Sequence, residues 1–219
     1  METKPKHRGT AWFAAGTLLI AAACVLVLGN LWEDRQAGRA AAYAMDSLRK
    51  LVISETATAM AALPTGETPE EPYETEVPDY ILNPGMPMPE EVVNGRSYIG
   101  ILSIPAADLE LPIQSAWSYP NLKATPCRYT GSVYTDDMII AGHDYRTHFR
   151  ALRDLTGGER VTFTDADGNV FAYDVSLIET IGGNDVEGLT GGDWDLTLFT
   201  CTADGASRVV IRCTGAGST

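Results

Sequence analysis

The sequence has 219 residues and a formal net charge of −13, with 29 acidic and 16 basic side chains. We do not expect so acidic a chain to bind nucleic acid, because phosphate backbones are held mainly by clustered lysine and arginine. The part rich in alternating apolar residues is about 120 residues long, enough for one modest hydrophobic core. We therefore expect one folded domain.

The N-terminus predicts a membrane anchor. Residues 11–32 are 22 consecutive residues without a charged side chain, and as a helix they can cross about 30 Å of hydrocarbon. Lys4, Lys6 and Arg8 precede this stretch. By the positive-inside rule, residues 1–10 are then expected in the cytoplasm and the rest of the chain outside the cell membrane. A cleaved signal peptide is the alternative, but its apolar region is usually shorter.

Two segments are expected between the anchor and the folded domain. Residues 33–63 are rich in alanine, with apolar residues at helical spacing, and predict a helical stalk. Residues 64–95 combine recurring proline with acidic side chains, and residues 51–95 contain nine acids and no lysine or arginine. Proline removes backbone donors and like charges repel each other, so residues 64–95 are interpreted as an extended acidic linker.

Residues 96–219 predict a mainly β domain. Alternating apolar and polar residues between turn-rich gaps predict at least seven strands, which are Ser97–Ile104, Leu109–Gln114, Met138–Gly142, Arg160–Thr164, Val170–Ile181 and the two strands that flank residues 202–207. One short helix is expected at His148–Leu155, and a hairpin turn at residues 165–169. Many short strands at this spacing indicate a closed barrel or a sandwich, and the pattern does not separate the two.

Three residues suited to acyl transfer stand at the ends of predicted strands. Cys201 and Arg208 flank one loop, and His143 ends another apolar strand. Together they supply a nucleophile, a proton carrier and a cationic stabiliser. Each alone is more often a packing or solvated residue. The combination at separate strand ends favours an activated thiolate site.

The same residues carry a resemblance to a known family. The run Thr197-Leu198-Phe199-Thr200-Cys201 resembles the Thr-Leu-x-Thr-Cys signature of the sortases, the cysteine transpeptidases of bacterial cell surfaces. Ala141-Gly142-His143 resembles the strand end with their catalytic histidine, and Arg208 falls where their catalytic arginine follows the cysteine. The resemblance covers roughly residues 96–213. It implies a closed β-barrel of about eight strands with one or two short helices, preceded by the transmembrane helix and the linker.

A function follows from this resemblance. Cys201 would cleave a Leu-Pro-x-Thr-Gly-like C-terminal sorting signal of a surface protein through a thioacyl enzyme, and an amine of a peptidoglycan precursor or of another protein would accept the acyl group. His143 would protonate the leaving amine, and Arg208 would stabilise the oxyanion. No cofactor is expected. Thr200 and Tyr145 are candidate substrate contacts, although an ordinary strand or turn role fits each of them equally well.

Several residue assignments stay open at this stage. Arg212 lies on the same strand face as Arg208 and is the rival for the cationic role. Cys127 and Cys213 form either a disulfide or two buried thiols. Residues 64–95 have a lid over the active site as their alternative to a plain linker.

Two other functions are alternatives. An L,D-type peptidoglycan transpeptidase also uses cysteine, histidine and arginine, but its signature sets histidine and glycine directly before the cysteine, where Phe199-Thr200 stand here. A non-enzymatic, membrane-anchored β-domain that binds a surface partner would keep Cys201 for packing. Asp185 and Glu187 precede the cysteine strand, but calcium needs six or more oxygen ligands, so no metal site is predicted.

Overall fold

A single long helix, α1, joins the apolar N-terminal stretch to the folded domain. The structure is a computed structural model that describes residues 8–61 and 77–216. α1 runs from Arg8 to Ala61, and among these residues it is the one helix that is long and apolar enough to cross a membrane. Its apolar window has no buried residue. This part of α1 therefore does not belong to the core of the folded domain.

Eight strands close into a barrel. The described residues form nine strands in all, which are β1 Glu91–Val93, β2 Arg96–Ile104, β3 Leu109–Gln114, β4 Cys127–Thr130, β5 Met138–Ala141, β6 Arg160–Asp165, β7 Val170–Gly182, β8 Leu196–Cys201 and β9 Ser207–Gly215. Their order is β1-β2-β3-β4-β5-β8-β9-β7-β6, and β6 also pairs with β2, which closes the ring of β2 to β9. β1 is an additional strand on β2. The predicted closed, mainly β barrel is confirmed.

Short helices occupy the connections. They are α2 Asp79–Leu82, α3 Tyr119–Leu122, α4 Val186–Thr190 and two 3₁₀ helices, Pro105–Ala107 and Arg150–Asp154. The second 3₁₀ helix stands where the sequence predicts its one short helix, and it buries Leu152. The turn expected at residues 165–169 is formed between β6 and β7. The Asp165 carboxylate accepts hydrogen bonds from the backbone and side-chain nitrogens of Asn169.

Apolar side chains form clusters on both faces of the barrel wall. The interior cluster includes Ile99, Leu102, Ile113, Ile140, Phe163, Leu198 and Ile211. An outer cluster covers the opposite face of β4, β5, β8 and β9, beneath α3 and α4. It consists of Leu122, Cys127, Ile139, Ala141, Leu189, Phe199 and Val210. Because successive side chains of a strand point to opposite faces, cluster membership shows which face each residue of β8 occupies.

Residues 33–49 of α1 pack along the barrel. Their buried side chains are Ala37, Ala41, Ala44, Met45 and Leu48, which recur at helical spacing. The alanines let the helix approach β1 and β3, the strands that it contacts. Glu33 pairs with Lys123 at one end of this contact, and Arg49 pairs with Glu110 at the other. This part of the predicted helical stalk therefore lies against the domain.

Residues 77–95 are folded, which corrects the prediction of an extended linker for this part of the chain. They contain α2 and β1. The Tyr80 ring stacks on Tyr134 with centroids 4.8 Å apart, and Met88 is buried in the interior cluster. None of these residues lines the pocket around Cys201 described below, so they do not form the alternative lid. The rest of the predicted linker, residues 64–76, lies outside the described residues.

Candidate active site

The pairing of β8 with β9 brings Cys201 and Arg208 together. Cys201 ends β8, Arg208 lies near the start of β9, and the two are partners in the antiparallel ladder. The Arg208 Nη1 atom is 3.7 Å from the Cys201 sulfur and donates a hydrogen bond to it. The guanidinium carbon also lies 5.4 Å from the centre of the Phe199 ring. A cation therefore stands directly beside the thiol.

His143 reaches the same end of the barrel because β5 and β8 are parallel. Ala141, the last residue of β5, is in register with Phe199, and the Gly142 backbone nitrogen donates to the Phe199 carbonyl oxygen at 3.0 Å. His143 follows immediately. Parallel neighbours end at the same edge of a sheet, so the histidine and the cysteine stand at the same end of the barrel although 58 positions separate them in the sequence.

The turn after β5 requires glycine at position 142. A Cβ atom built on Gly142 would overlap the ring of Phe149, which is completely buried below the turn. The Phe149 backbone nitrogen also donates to the His143 carbonyl oxygen at 3.1 Å. The glycine and the phenylalanine together fix the direction in which the imidazole leaves the strand.

The imidazole of His143 is held in a dry environment. Desolvation lowers its pKa below 6.5, and the nearby Lys123 charge lowers it further, with Glu33 opposing both. The ring stacks on Tyr145 with centroids 4.6 Å apart. Its Nε2 atom is buried and has no hydrogen-bond partner among the described residues. A buried ring nitrogen without a partner calls for an explanation, and proton transfer in the adjoining pocket is one that fits.

His143, Cys201 and Arg208 line one open pocket of about 480 Å³. Its walls are mainly aromatic and small: Trp117, Tyr119, Leu122, Tyr129, Phe199, Gly183, Gly205 and Ala206 also line it. Pockets of this size, with a few convergent polar groups on apolar walls, are typical of binding sites for small ligands and short peptide segments. The structure thus brings all three predicted catalytic side chains into one cavity.

The rival arginine, Arg212, has a different environment. It is 2 % exposed, and it pairs with Glu179 at 2.9 Å. Its guanidinium also donates to the carbonyl oxygens of Gly188 and Leu189 and to the Thr197 hydroxyl. These contacts fasten α4 to the outer face of the barrel. Arg212 is therefore saturated by structural partners, whereas Arg208 faces the pocket.

The two candidate substrate contacts lie elsewhere. Thr200 alternates with Phe199 and Cys201 on β8, is buried, and is not among the residues that line the pocket. Its neighbour Leu198 belongs to the interior cluster, which places Thr200 on the inner face. Tyr145 does not line the pocket either, but it stacks on His143. The structure therefore separates Thr200 from the site and places Tyr145 behind the histidine.

A network that the sequence did not reveal links the histidine loop to the cysteine. Asp144 pairs with Arg153 at 2.7 Å, and the Arg153 Nη2 atom donates to the Cys201 carbonyl oxygen at 2.9 Å. Asp144 follows His143 in the chain, so the ion pair fixes the ends of β5 and β8 relative to each other. The position of Asp144 beside the histidine was the one signal available in the sequence.

The helix α1 also contacts the histidine loop. The Tyr145 hydroxyl donates to Glu33 at 3.1 Å, and the Thr147 hydroxyl donates to Asp34 at 2.9 Å. Glu33 and Asp34 directly follow the apolar stretch. The imidazole of His143 is thus supported through Tyr145 by the first polar residues of α1 beyond that stretch.

Two other cysteines, Cys127 and Cys213, are inert by burial. Cys127 and Cys213 are free, and burial raises the pKa of each thiol to about 12. Cys127 belongs to the outer cluster and Cys213 to the interior cluster, so they do not form a disulfide. Among the described residues, no group of three or more His, Cys, Asp or Glu side chains could hold a metal ion. Asp185 instead accepts a hydrogen bond from the Gly188 backbone nitrogen and caps the N-terminus of α4.

Comparison with known proteins identifies the fold and the family. Sortase C1 of Streptococcus agalactiae superposes with a TM-score of 0.51 at 23% identity, covering 58% of this chain and 72% of that one. Its complex with MTSET gives a TM-score of 0.51 at 20% identity over 80% of this chain and 90% of that one.

Clostridium perfringens sortase C, solved with the C-terminal cell wall sorting motif, gives a TM-score of 0.50 at 18% identity over 79% of this chain and 89% of that one. No curated protein matches the sequence. The family model of the sortase domain matches residues 102–216, which is more than half of the chain and includes every strand from β3 to β9. The chain therefore belongs to the sortase family.

Proposed function

We propose that this chain is a cysteine transpeptidase with Cys201 as its nucleophile. The observation that carries the proposal is the shared pocket in which Arg208 contacts the Cys201 sulfur at 3.7 Å and the buried His143 ring nitrogen has no partner among the described residues. Cysteine, histidine and arginine around one apolar groove supply the groups that acyl transfer through a thioester requires.

The first half-reaction forms the thioacyl enzyme. The lowered pKa of His143 keeps its imidazole neutral at neutral pH, so it can accept the proton of Cys201 as the sulfur attacks the peptide carbonyl carbon. The Arg208 guanidinium stabilises the oxyanion of the tetrahedral intermediate. When the C–N bond breaks, His143 returns the proton to the departing amine, and the acyl group remains on sulfur.

The second half-reaction transfers the acyl group to an amine. The incoming amine attacks the thioester carbon and loses a proton to His143. Cys201 leaves as the thiolate beside Arg208 and takes that proton back from His143, which restores the thiol and the neutral imidazole, and the product leaves with the new amide bond. The apolar walls of the pocket limit the access of water, which competes with the amine at this stage.

The proposed substrate is a surface protein with a Leu-Pro-x-Thr-Gly-like C-terminal sorting signal. The aromatic and small walls of the pocket fit the leucine and proline of such a peptide. The Clostridium perfringens structure named above was solved with the C-terminal cell wall sorting motif, which supports the same substrate class here. The proposed acceptor is an amine of a peptidoglycan precursor or of another protein.

The proposed location is the cell membrane, with a single span. The apolar part of α1 fits a single-pass anchor joined to the sortase domain. The basic side chains of Lys4, Lys6 and Arg8 favour a cytoplasmic N-terminus, which leaves the barrel outside the cell.

A peptide-transfer assay tests the proposed activity. The full chain in detergent is incubated with a Leu-Pro-x-Thr-Gly peptide library and an amine acceptor, and the products are identified by mass spectrometry. Wild type should cleave between threonine and glycine and join the threonine to the amine, while Cys201→Ala should do neither. Cleavage by Cys201→Ala at the wild-type rate would contradict the proposal.

The same assay, repeated with peptidoglycan stem peptides beside the library, separates the two rival functions. An L,D-transpeptidase would act on peptidoglycan stem peptides and leave the library intact. A non-enzymatic binding domain would consume neither substrate. The partial exposure of Cys201 beside Arg208, in contrast to the complete burial of Cys127 and Cys213, favours the enzyme over the binding domain.

A further inference from the structure

The entrance of the pocket carries exposed aromatic side chains. Trp117 is 41 % exposed and Tyr119 is 68 % exposed. Their ring centroids are 5.3 Å apart, and both residues line the pocket that contains Cys201. Adjacent exposed aromatic rings beside a functional pocket indicate a surface that contacts something other than water.

The position of these rings relative to the anchor is fixed by α1. The apolar stretch ends at Trp32, and Glu33, the next residue, has its carboxylate 3.2 Å from the Lys123 ammonium. Lys123 directly follows α3, which begins at Tyr119. Four residues of helix rise about 6 Å. Tyr119 and the neighbouring Trp117 are therefore close to the level at which the apolar stretch ends.

We propose that Trp117 and Tyr119 insert into the headgroup region of the lipid bilayer, beside the entrance of the active site. This inference rests on the proposal that α1 is the membrane anchor. The 22 apolar residues give a helix of about 33 Å, which matches a hydrocarbon core of about 30 Å and leaves Glu33 at its boundary. Tryptophan and tyrosine are the side chains that concentrate at this boundary.

The lipid surface is the partner of Trp117 and Tyr119, because α1 holds this end of the barrel next to the bilayer. The contacts from Glu33 and Asp34 to Lys123, Tyr145 and Thr147 attach this end of the barrel to the residues that leave the bilayer. The opposite end is remote. Arg49, which pairs with Glu110 there, lies 16 residues further along α1, or about 24 Å further from the membrane.

Contact with lipid would hold the mouth of the Cys201 pocket at the bilayer surface. A sorting signal presented there meets the nucleophile without leaving the membrane.

The barrel also offers a matched internal control, because Trp194 precedes β8 whereas Cys201 ends it. The length of a strand of this size, about 20 Å, therefore separates Trp194 from the proposed contact.

Depth-dependent fluorescence quenching tests the contact on the full chain. The chain contains four tryptophans, Trp12, Trp32, Trp117 and Trp194. Three variants each keep one of Trp12, Trp117 or Trp194 and carry phenylalanine at the others. They are reconstituted in phosphatidylcholine and phosphatidylglycerol vesicles that contain lipid with a nitroxide near the headgroup. We expect strong quenching of Trp12 and Trp117 and little quenching of Trp194.

The three reporters separate failure of the contact from failure of the anchor. If Trp12 is quenched and Trp117 is quenched no more than Trp194, the anchor stands and the lipid contact is wrong. Shielding of Trp117 by a soluble sorting peptide, without quenching by lipid, would assign the ring to peptide binding alone and also overturn the contact. If Trp12 itself is not quenched, both the anchor and the contact are wrong.

A crosslinking experiment avoids multiple tryptophan substitutions. Tyr119 is replaced by p-benzoylphenylalanine in the otherwise unchanged chain, and the vesicles are irradiated. We expect a covalent lipid adduct from this position and none when the same replacement is made at Trp194. Equal adducts at both positions, or none at either, would overturn the proposal.

Discussion

Arg212 and Arg208 stand four residues apart on one face of β9, and their substitution should have opposite consequences. Arg212→Met removes the guanidinium but keeps an apolar side chain of similar length. Arg208→Met makes the same chemical change beside the pocket. The structure predicts that the first substitution lowers the free energy of unfolding and that the second lowers turnover.

The magnitude for Arg212 follows from its four partners. The substitution leaves the Gly188 and Leu189 carbonyls and the Thr197 hydroxyl without their donor, at a cost of about 1 kcal/mol each. The Glu179 carboxylate is 35% exposed, so water partly replaces the arginine as its partner. We take the cost of losing this ion pair as about 1 kcal/mol. A total near 4 kcal/mol agrees with about 3–5 kcal/mol for breaking a buried pair.

Urea unfolding of the full chain in detergent measures this difference. Near-ultraviolet circular dichroism reports the packing of the barrel aromatics. With a slope of about 2 kcal/mol/M, the midpoint for Arg212→Met should fall by about 2 M. Arg208→Met should stay within about 0.5 M of wild type, because its side chain is partly exposed.

Peptide cleavage should show the reverse order. Under conditions in which it is folded, Arg212→Met should keep turnover within about three-fold of wild type. Arg208→Met should have turnover lower by about a hundred-fold or more. A stable Arg212→Met variant that loses turnover would show that the wrong arginine has been assigned to the oxyanion.

Three further predictions concern the histidine loop. Burial lowers the pKa of His148 to about 4, so the unfolded state takes up a proton first as pH falls from about 6.5 to 4. Wild type should lose roughly 3 kcal/mol of unfolding free energy in that window, and His148→Gln should flatten this dependence in denaturation curves measured at each pH. Gly142→Ala should force Phe149 to shift and reduce turnover about ten-fold or more in the cleavage assay, with wild-type cleavage contradicting the close contact. Tyr145→Phe removes the hydroxyl that donates to Glu33 but keeps the ring stacked on His143. We expect the pH profile of turnover to change and the rate of Cys201 alkylation to stay the same. An unchanged pH profile would show that Glu33 does not act on the histidine.

Much of the barrel could be predicted because its strands alternate over long runs. β3 matches its predicted bounds, and β2, β6 and β7 differ by one residue at an end. β4 was missed because it has only four residues and a register shift between Arg128 and Thr130. A strand this short gives no usable period.

The composition of residues 77–95 predicts an extended linker, whereas the structure shows this segment folded against the barrel. Proline and glutamate dominate it, but Tyr80 and Met88 supply enough apolar surface to pack against the domain. A few anchoring side chains decide such a case, and an average over the segment conceals them. Proline in β-edge and turn positions is compatible with this packing.

Local motifs identified the three central side chains, whereas their supports required the tertiary structure. Cys201, His143 and Arg208 stand at strand ends, and each could be located within its own run of sequence. Arg153 donates to the Cys201 carbonyl oxygen from a 3₁₀ helix, and Glu33 of α1 accepts a hydrogen bond from the Tyr145 hydroxyl. Contacts between residues so far apart leave no local pattern in one sequence.

The central claim is that Cys201 forms the thioacyl enzyme in the pocket that it shares with His143 and Arg208. Intact-mass measurement of the full chain with a cleavable sorting peptide, in the absence of an amine acceptor, tests it most directly when the adduct is mapped by proteolysis. We predict one acyl adduct on Cys201, its release on addition of an amine, and no adduct in Cys201→Ala. An adduct on Cys127, Cys213 or Cys24, or cleavage without an adduct on any cysteine, would contradict the account.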